Sequence, residues 1–163
     1  MFMSLPLHPI IVHVPVTLIV ISLLFELVGR ALDSDWWRRA AFALLIVGAL
    51  GAVAAVLTGG PAGDVAENRG VDEHAVDAHE EAADWALWLA IAAVVVRAVA
   101  GRTGKARAAV AGLGLLLHVF AAGAVVKAGY RGGQLVYEHA AGVRVHGQPA
   151  PSDGPPRAAP DSD

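Results

Sequence analysis

The 163-residue chain has no cysteine. That excludes disulfides, thiolate metal sites, cysteine-ligated iron–sulfur clusters and covalently attached c-type haem. Any metal or haem must be held by histidine, carboxylate, methionine or tyrosine. Charge is scarce as well: 12 Lys+Arg against 15 Asp+Glu leaves a net charge of −3, so no basic footprint points to nucleic acid. The first apolar run lacks a basic region before it and a small-x-small cleavage signal after it. At about 20 residues it reads as a first membrane helix and not as a signal peptide. The glycine-rich stretch Thr58-Gly-Gly-Pro-Ala-Gly-Asp has no Gly-Lys-Ser/Thr ending, which argues against a phosphate loop.

What the chain has is apolar length. Hydrophobic residues make up 56% of it and mean hydropathy is +0.55, outside the range of ordinary soluble domains. Four runs, about 9–28, 40–57, 80–100 and 108–126, are apolar and long enough to be membrane helices, since roughly 20 residues at about 1.5 Å each cross ~30 Å of hydrocarbon. The expected fold is all-α: a polytopic membrane protein, a four-helix transmembrane bundle with both termini on the same side. After helix four, Gly129-Tyr-Arg-Gly-Gly should break the chain, and 132–143 should form a short interfacial segment. The transmembrane domain is thus 1–146. Residues 147–163, rich in Pro, Ser, Asp and Gly, read as a disordered tail.

Two loops on the side opposite the termini hold Arg30, Arg38, Arg39 and Arg97, Arg102, Lys105, Arg107. The loop between helices two and three holds one basic residue, Arg69, among eight carboxylates from Asp64 to Asp84. By the positive-inside rule, both termini are expected outside the cytoplasm of a bacterial plasma (inner) membrane. Trp36 and Trp37 mark the inner interface, and Trp85, Trp88, Tyr130 and Tyr137 the outer one, as an aromatic belt requires. Pro15 should distort helix one near His13. Glu26 and Arg30, four apart, read as an i,i+4 pair with Arg30 snorkelling. Gly48, Gly51, Ala52 and Ala55 on helix two, and Ala109, Gly112, Gly114 and Gly123 on helix four, read as close-packing positions.

The histidines carry most of the functional information. An even number of crossings puts His8, His13, His74, His79, His139 and His146 on one face, and ionisable groups near hydrocarbon are costly and usually functional. His13, one to two turns below His8, is expected to face the bundle interior. His79 is followed by Glu80, and a carboxylate beside a histidine is a common way to orient a metal ligand. His118 lies about ten residues from the outer end of helix four, ~15 Å deep. It is a poor axial partner for His13 and reads as a separate buried hydrogen-bonding histidine or part of a proton relay.

The pattern Leu7-His8-Pro9-x-x-Val12-His13-x-Pro15, Thr58-Gly59 with Gly63, His79-Glu80, and Gly132-Gly133-x-Leu135-Val136-Tyr137-x-His139-x-x-Gly142-Val143 resembles the bacterial integral membrane family catalogued as domain of unknown function 2231. The resemblance covers about residues 5 to 145. It implies a membrane protein, and relatives alongside cytochrome-like domains imply a redox setting. It singles out His8, His13, His79 and His139, with Glu80 and Tyr137 beside them. Ala140 stands where the family often has glycine.

The resulting expectation is b-type haem or a transition metal at the outer face, held by His13 with His79 or His139, for electron transfer with a quinone or a periplasmic cytochrome. The alternative is a non-catalytic membrane scaffold or accessory subunit whose histidines make interhelical hydrogen bonds. Divalent-ion transport is weaker, because the spans lack carboxylates apart from Glu26 near one end, and a translocation path normally shows more polar residues at mid-depth.

Overall fold

A computed structural model describes residues 7–100 and 103–141. His146, Arg102 and the tail 147–163 lie outside the described residues, as does the end of the expected segment 132–143. The described chain is helical: α1 (Leu7–Ile11), α2 (His13–Ala31), α3 (Asp35–Glu67), α4 (Glu73–Ala100), a 3-10 turn (Gly104–Ala106) and α5 (Arg107–Tyr137). Helix α2 packs on α3, α3 on α4, α4 on α5, and α5 back on α2, which closes an up-and-down four-helix bundle. Each of the four crossings is long and apolar enough to span a membrane. Leu7 and Ala141 lie at one end of the bundle, since His8 at the chain's start meets Thr58 and the ring of His79, and His79 in turn meets Gly132. We call this the histidine end. The opposite end, where Arg30, Arg38 and Arg107 gather, is the arginine end.

The packing is inverted relative to a soluble bundle. Alanine dominates the interior, with Ala41, Ala49, Ala52, Ala86, Ala90, Ala93 and Ala121 all buried, while Leu24, Leu50, Leu57 and Phe120 are exposed. No water separates helices in lipid, so close backbone approach replaces burial of large side chains as the source of attraction. Gly48 shows how tight the α2–α3 seam is: a β-carbon there would sit 2.8 Å from Cγ1 of Ile19. Gly51 and Gly114 are similarly filled, whereas Gly112 and Gly123 have nothing within 4 Å and face outward. The small residues of helix four therefore divide between the interior and the exposed surface.

The first crossing is interrupted at Val12, between α1 and α2. Pro15 has no N–H to give the Ile11 carbonyl. Backbone bonds Val12 N–His8 O (3.1 Å) and Val16 N–Val12 O (3.3 Å) carry the chain across, and the His13 ring donates through Nδ1 to the Pro9 carbonyl at 2.6 Å. The distortion near His13 is thus present, and the His13 ring caps the Pro9 carbonyl beside it.

Two expected helix ends are corrected. Helix α3 does not stop at Leu57; it continues through Gly59, Gly60 and Pro61 to Glu67. Helix α5 does not break at Gly129–Gly133 but runs on to Tyr137. In both cases glycine lets another chain segment approach: the His8 ring lies against Gly59 and the His79 ring against Gly132. This packing outweighs a local helix penalty of about 1 kcal/mol per glycine. At 33 residues, α3 is about 50 Å long, well over the ~30 Å of hydrocarbon, so its final turns stand beyond the membrane.

Candidate functional site

Two polar clusters occupy opposite ends of the bundle. They are separated by the apolar core of Leu45, Ala49, Ala86, Ala90, Ala121 and Val125.

At the histidine end, α1, α3, α4 and α5 bring together His8, Thr58, Gly59, His79 and Gly132. The rings of His8 and His79 have centroids 6.3 Å apart and stand at 84° to each other. Their hydrogen bonds fix which nitrogen is free. The Thr58 hydroxyl directs its one proton to the carbonyls of Ala54 (2.9 Å) and Ala55 (3.1 Å). With that proton on a carbonyl, the hydroxyl accepts from His8, whose Nδ1 lies 3.2 Å away. The Nδ1–H of His79 donates to the Ala128 carbonyl at 3.0 Å. Each imidazole is thus the Nδ1–H tautomer, leaving an unprotonated Nε2 lone pair, which is how a metal-ligating histidine is normally presented. Glu80 follows His79 and packs its carboxylate over Gly63, one turn along α3 from Gly59.

The other expected site residues are distributed differently. His13 does not face the interior: it is exposed and spends Nδ1 on the Pro9 carbonyl. Five residues at about 100° each carry it roughly 140° around the helix from His8. His139 is half-buried in a polar groove with Ala75, Arg131, Gln134 and Glu138. Tyr137 is 90% exposed. His74 is exposed on the first turn of α4. Among the described residues no three His, Asp or Glu side chains are gathered as a ready metal site. Of the four expected histidines, the structure brings one pair together, His8 with His79.

At the arginine end a ladder of buried polar side chains runs inward. The Glu26 carboxylate, 3% exposed, accepts from Arg30 Nε at 2.8 Å and from Arg97 Nη2 at 2.6 Å. Arg97 also donates through Nη1 to Nδ1 of His118 at 3.2 Å. The opposite nitrogen, Nε2–H of His118, donates to Ser22 Oγ (2.8 Å) and the Ile19 carbonyl (3.2 Å), and Ser22 donates to the same carbonyl. Both nitrogens of His118 are thus occupied, in the tautomer opposite to that of His8 and His79. Among the described residues no buried side-chain nitrogen or oxygen lacks a partner.

Sequence reasoning missed this ladder. It placed Arg97 with the loop cations, but the side chain is only 11% exposed and joins α2 to α4. It saw the Glu26–Arg30 pair, which is present, but not that Glu26 is shared. The signal was available: a carboxylate and an arginine, each in the last turn of an apolar run at the same end of the bundle, have few options other than each other.

Comparison with known proteins adds one match. A family described as a predicted membrane protein, DUF2231, matches residues 4–145. No curated protein and no solved structure matches the chain.

Proposed function

The chain belongs to the DUF2231 family of predicted membrane proteins, and we propose that this member holds a transition-metal ion between Nε2 of His8 and Nε2 of His79. The observation that carries the reading is that both rings are engaged through Nδ1. Two imidazoles from different helices each donate Nδ1–H to a protein acceptor and keep Nε2 free. At metal–imidazole bonds of about 2.0–2.1 Å, two rings on one ion have centroids roughly 5 Å apart at a tetrahedral angle and about 6.4 Å apart when trans, and the 6.3 Å of this pair lies at the trans limit. Imidazole nitrogen suits copper, zinc or nickel, whose remaining positions water or an incoming ligand would fill. A bare ion has more support than b-type haem. Helices α3 and α5 close on the two ring edges at Gly59 and Gly132, leaving little room for a macrocycle between them. The histidine end would face the periplasm of a bacterial inner membrane, and with copper it would exchange electrons with a quinone or a soluble cytochrome.

The test is titration of tag-free, chelator-treated protein in detergent with Cu²⁺ and Zn²⁺, followed by calorimetry and, for copper, electron paramagnetic resonance. Wild type should take up one equivalent with nitrogen hyperfine structure, His8→Ala and His79→Ala should lose it, and His13→Ala should keep it. No stoichiometric uptake, or uptake indifferent to His8 and His79, ends the reading.

A second reading has its own observation. The Arg97–His118–Ser22 chain is fully hydrogen-bonded and joins three helices, as a membrane scaffold or accessory subunit would require. It predicts that histidine substitutions change stability without changing metal content.

A further inference from the structure

The arginine end carries more positive charge than its own carboxylates neutralise. Glu26 is shared by Arg30 and Arg97, which leaves one surplus cation. Arg38 is held by Asp33 and Asp35. Arg39, Lys105 and Arg107 are exposed and make no ion pair among the described residues.

Two of these cations share a seam. Arg30 reaches from α2 across to α5, where Nη2 donates to the Ala111 carbonyl at 3.3 Å. Arg107 lies four residues before Ala111 on the same helix, so it is on the same stripe one turn nearer the water. The Arg30 side chain is 37% exposed despite its two protein contacts. The α2–α5 seam thus carries two arginines at neighbouring levels, Arg30 reaching Ala111 and Arg107 exposed one turn before it on α5. Large apolar side chains lie exposed at the same end: Leu32 at 65% and Trp36 at 66%. Two carboxylates compete at this end: Glu26, which holds Arg30 Nε at 2.8 Å but is shared with Arg97, and Asp35, which lies within electrostatic reach of Arg39 and Arg107 but is engaged by Arg38 at 2.8 Å.

We infer that this seam binds the phosphate of an anionic phospholipid from the leaflet at the arginine end. Guanidinium groups match phosphate geometry. Basic recesses between membrane helices are where anionic headgroups dock, and the exposed leucine and tryptophan provide an apolar border for acyl chains. The inference is independent of the histidine pair and of any metal.

The experiment compares delipidated protein in mixed micelles of phosphatidylglycerol or phosphatidylcholine, reading melting temperature and, by native mass spectrometry, the lipid retained. Phosphatidylglycerol should be retained preferentially and raise the melting temperature. Arg107→Gln should cut that preference about five-fold, Arg107→Lys should fall between wild type and Gln because it keeps the charge but not the planar fork, and Arg69→Gln at the histidine end should leave it unchanged. Equal retention of the two lipids overturns the proposal, as does equal stabilisation by millimolar inorganic phosphate without lipid. Should Arg107→Gln not fold, the wild-type competition between the two lipids decides alone.

Discussion

Arg97 donates a hydrogen bond to Nδ1 of His118 at 3.2 Å, and this contact holds the imidazole neutral. A proton on Nδ1 would have to point at a guanidinium. A proton relay through His118 therefore needs Arg97 to move first, and with it the buried carboxylate of Glu26. The arrangement reads as a structural lock across α2, α4 and α5.

Breaking the lock at its charged link should be costly. Arg97→Met leaves Glu26 paired with Arg30 alone, so the loss is that of a buried charge-assisted hydrogen bond, about 1.5–3 kcal/mol. Ser22→Ala removes one neutral interhelical bond, worth roughly 0.6–1.7 kcal/mol in a membrane. Reversible unfolding in mixed micelles should rank them in that order, and Glu26→Gln with Arg97→Met should cost less than the sum of the singles. Additive losses would mean the two residues are not coupled.

Thr58 tests the tautomer argument without touching a ligand. Thr58→Val keeps the side-chain shape and removes the acceptor for His8 Nδ1–H. Loss of such a supporting contact typically lowers metal affinity 10–100-fold. Thr58→Ser should stay near wild type. Calorimetric affinities that do not separate Val from Ser would show that Thr58 has no orienting role.

Glycines of identical sequence character should respond oppositely to alanine. At Gly48 the added carbon meets Ile19 Cγ1 at 2.8 Å and the Ile19 backbone nitrogen at 3.2 Å, so overpacking of about 1–3 kcal/mol is expected. At Gly112 nothing lies within 4 Å, and alanine should stabilise the helix by up to about 1 kcal/mol. Melting temperatures of the two variants should move in opposite directions.

Ala140 has φ +53°, the left-handed region that costs a side chain about 1–2 kcal/mol relative to glycine. It sits at the end of α5, where Ala141 N–H closes back on the Leu135 carbonyl at 2.9 Å. Ala140→Gly should raise the melting temperature slightly, whereas Ala140→Val should lower it.

Sidedness is open to a labelling experiment, because the chain has no cysteine of its own. Asn68→Cys, in the short link between α3 and α4, should react with an impermeant thiol reagent on intact cells. Thr103→Cys, between α4 and α5, should not. The reverse pattern would put the histidine end in the cytoplasm.

How far the sequence could be read depended on which physical property was asked of it. Four crossings follow from apolar length, which needs no partner to be recognised. The family resemblance rested on motifs that prove to be spatially related: His8, Thr58, Gly59, His79 and Gly132 meet at one end. The pairing of His8 with His79 and not His13 depends on helix rotation and on a proline-broken turn, neither of which hydropathy records. The extension of α3 past Pro61 was hidden because Gly and Pro carry the same letters in a loop and in a helix held by its neighbours. Arg97 was misplaced for a related reason: three residues from a helix end, it suits a snorkelling cation and an inward-turned one equally well.

The length of the first crossing, Leu7–Ala31, has an electrical consequence. His8 lies 22 residues from Arg30, about 33 Å along the axis, so it stands at or past the far edge of ~30 Å of hydrocarbon. A cation arriving there from the adjacent water crosses almost none of the transmembrane field, which acts at ~2.3 kcal/mol per charge per 100 mV over the full thickness. Occupancy of the histidine pair should therefore be the same in energised and de-energised vesicles.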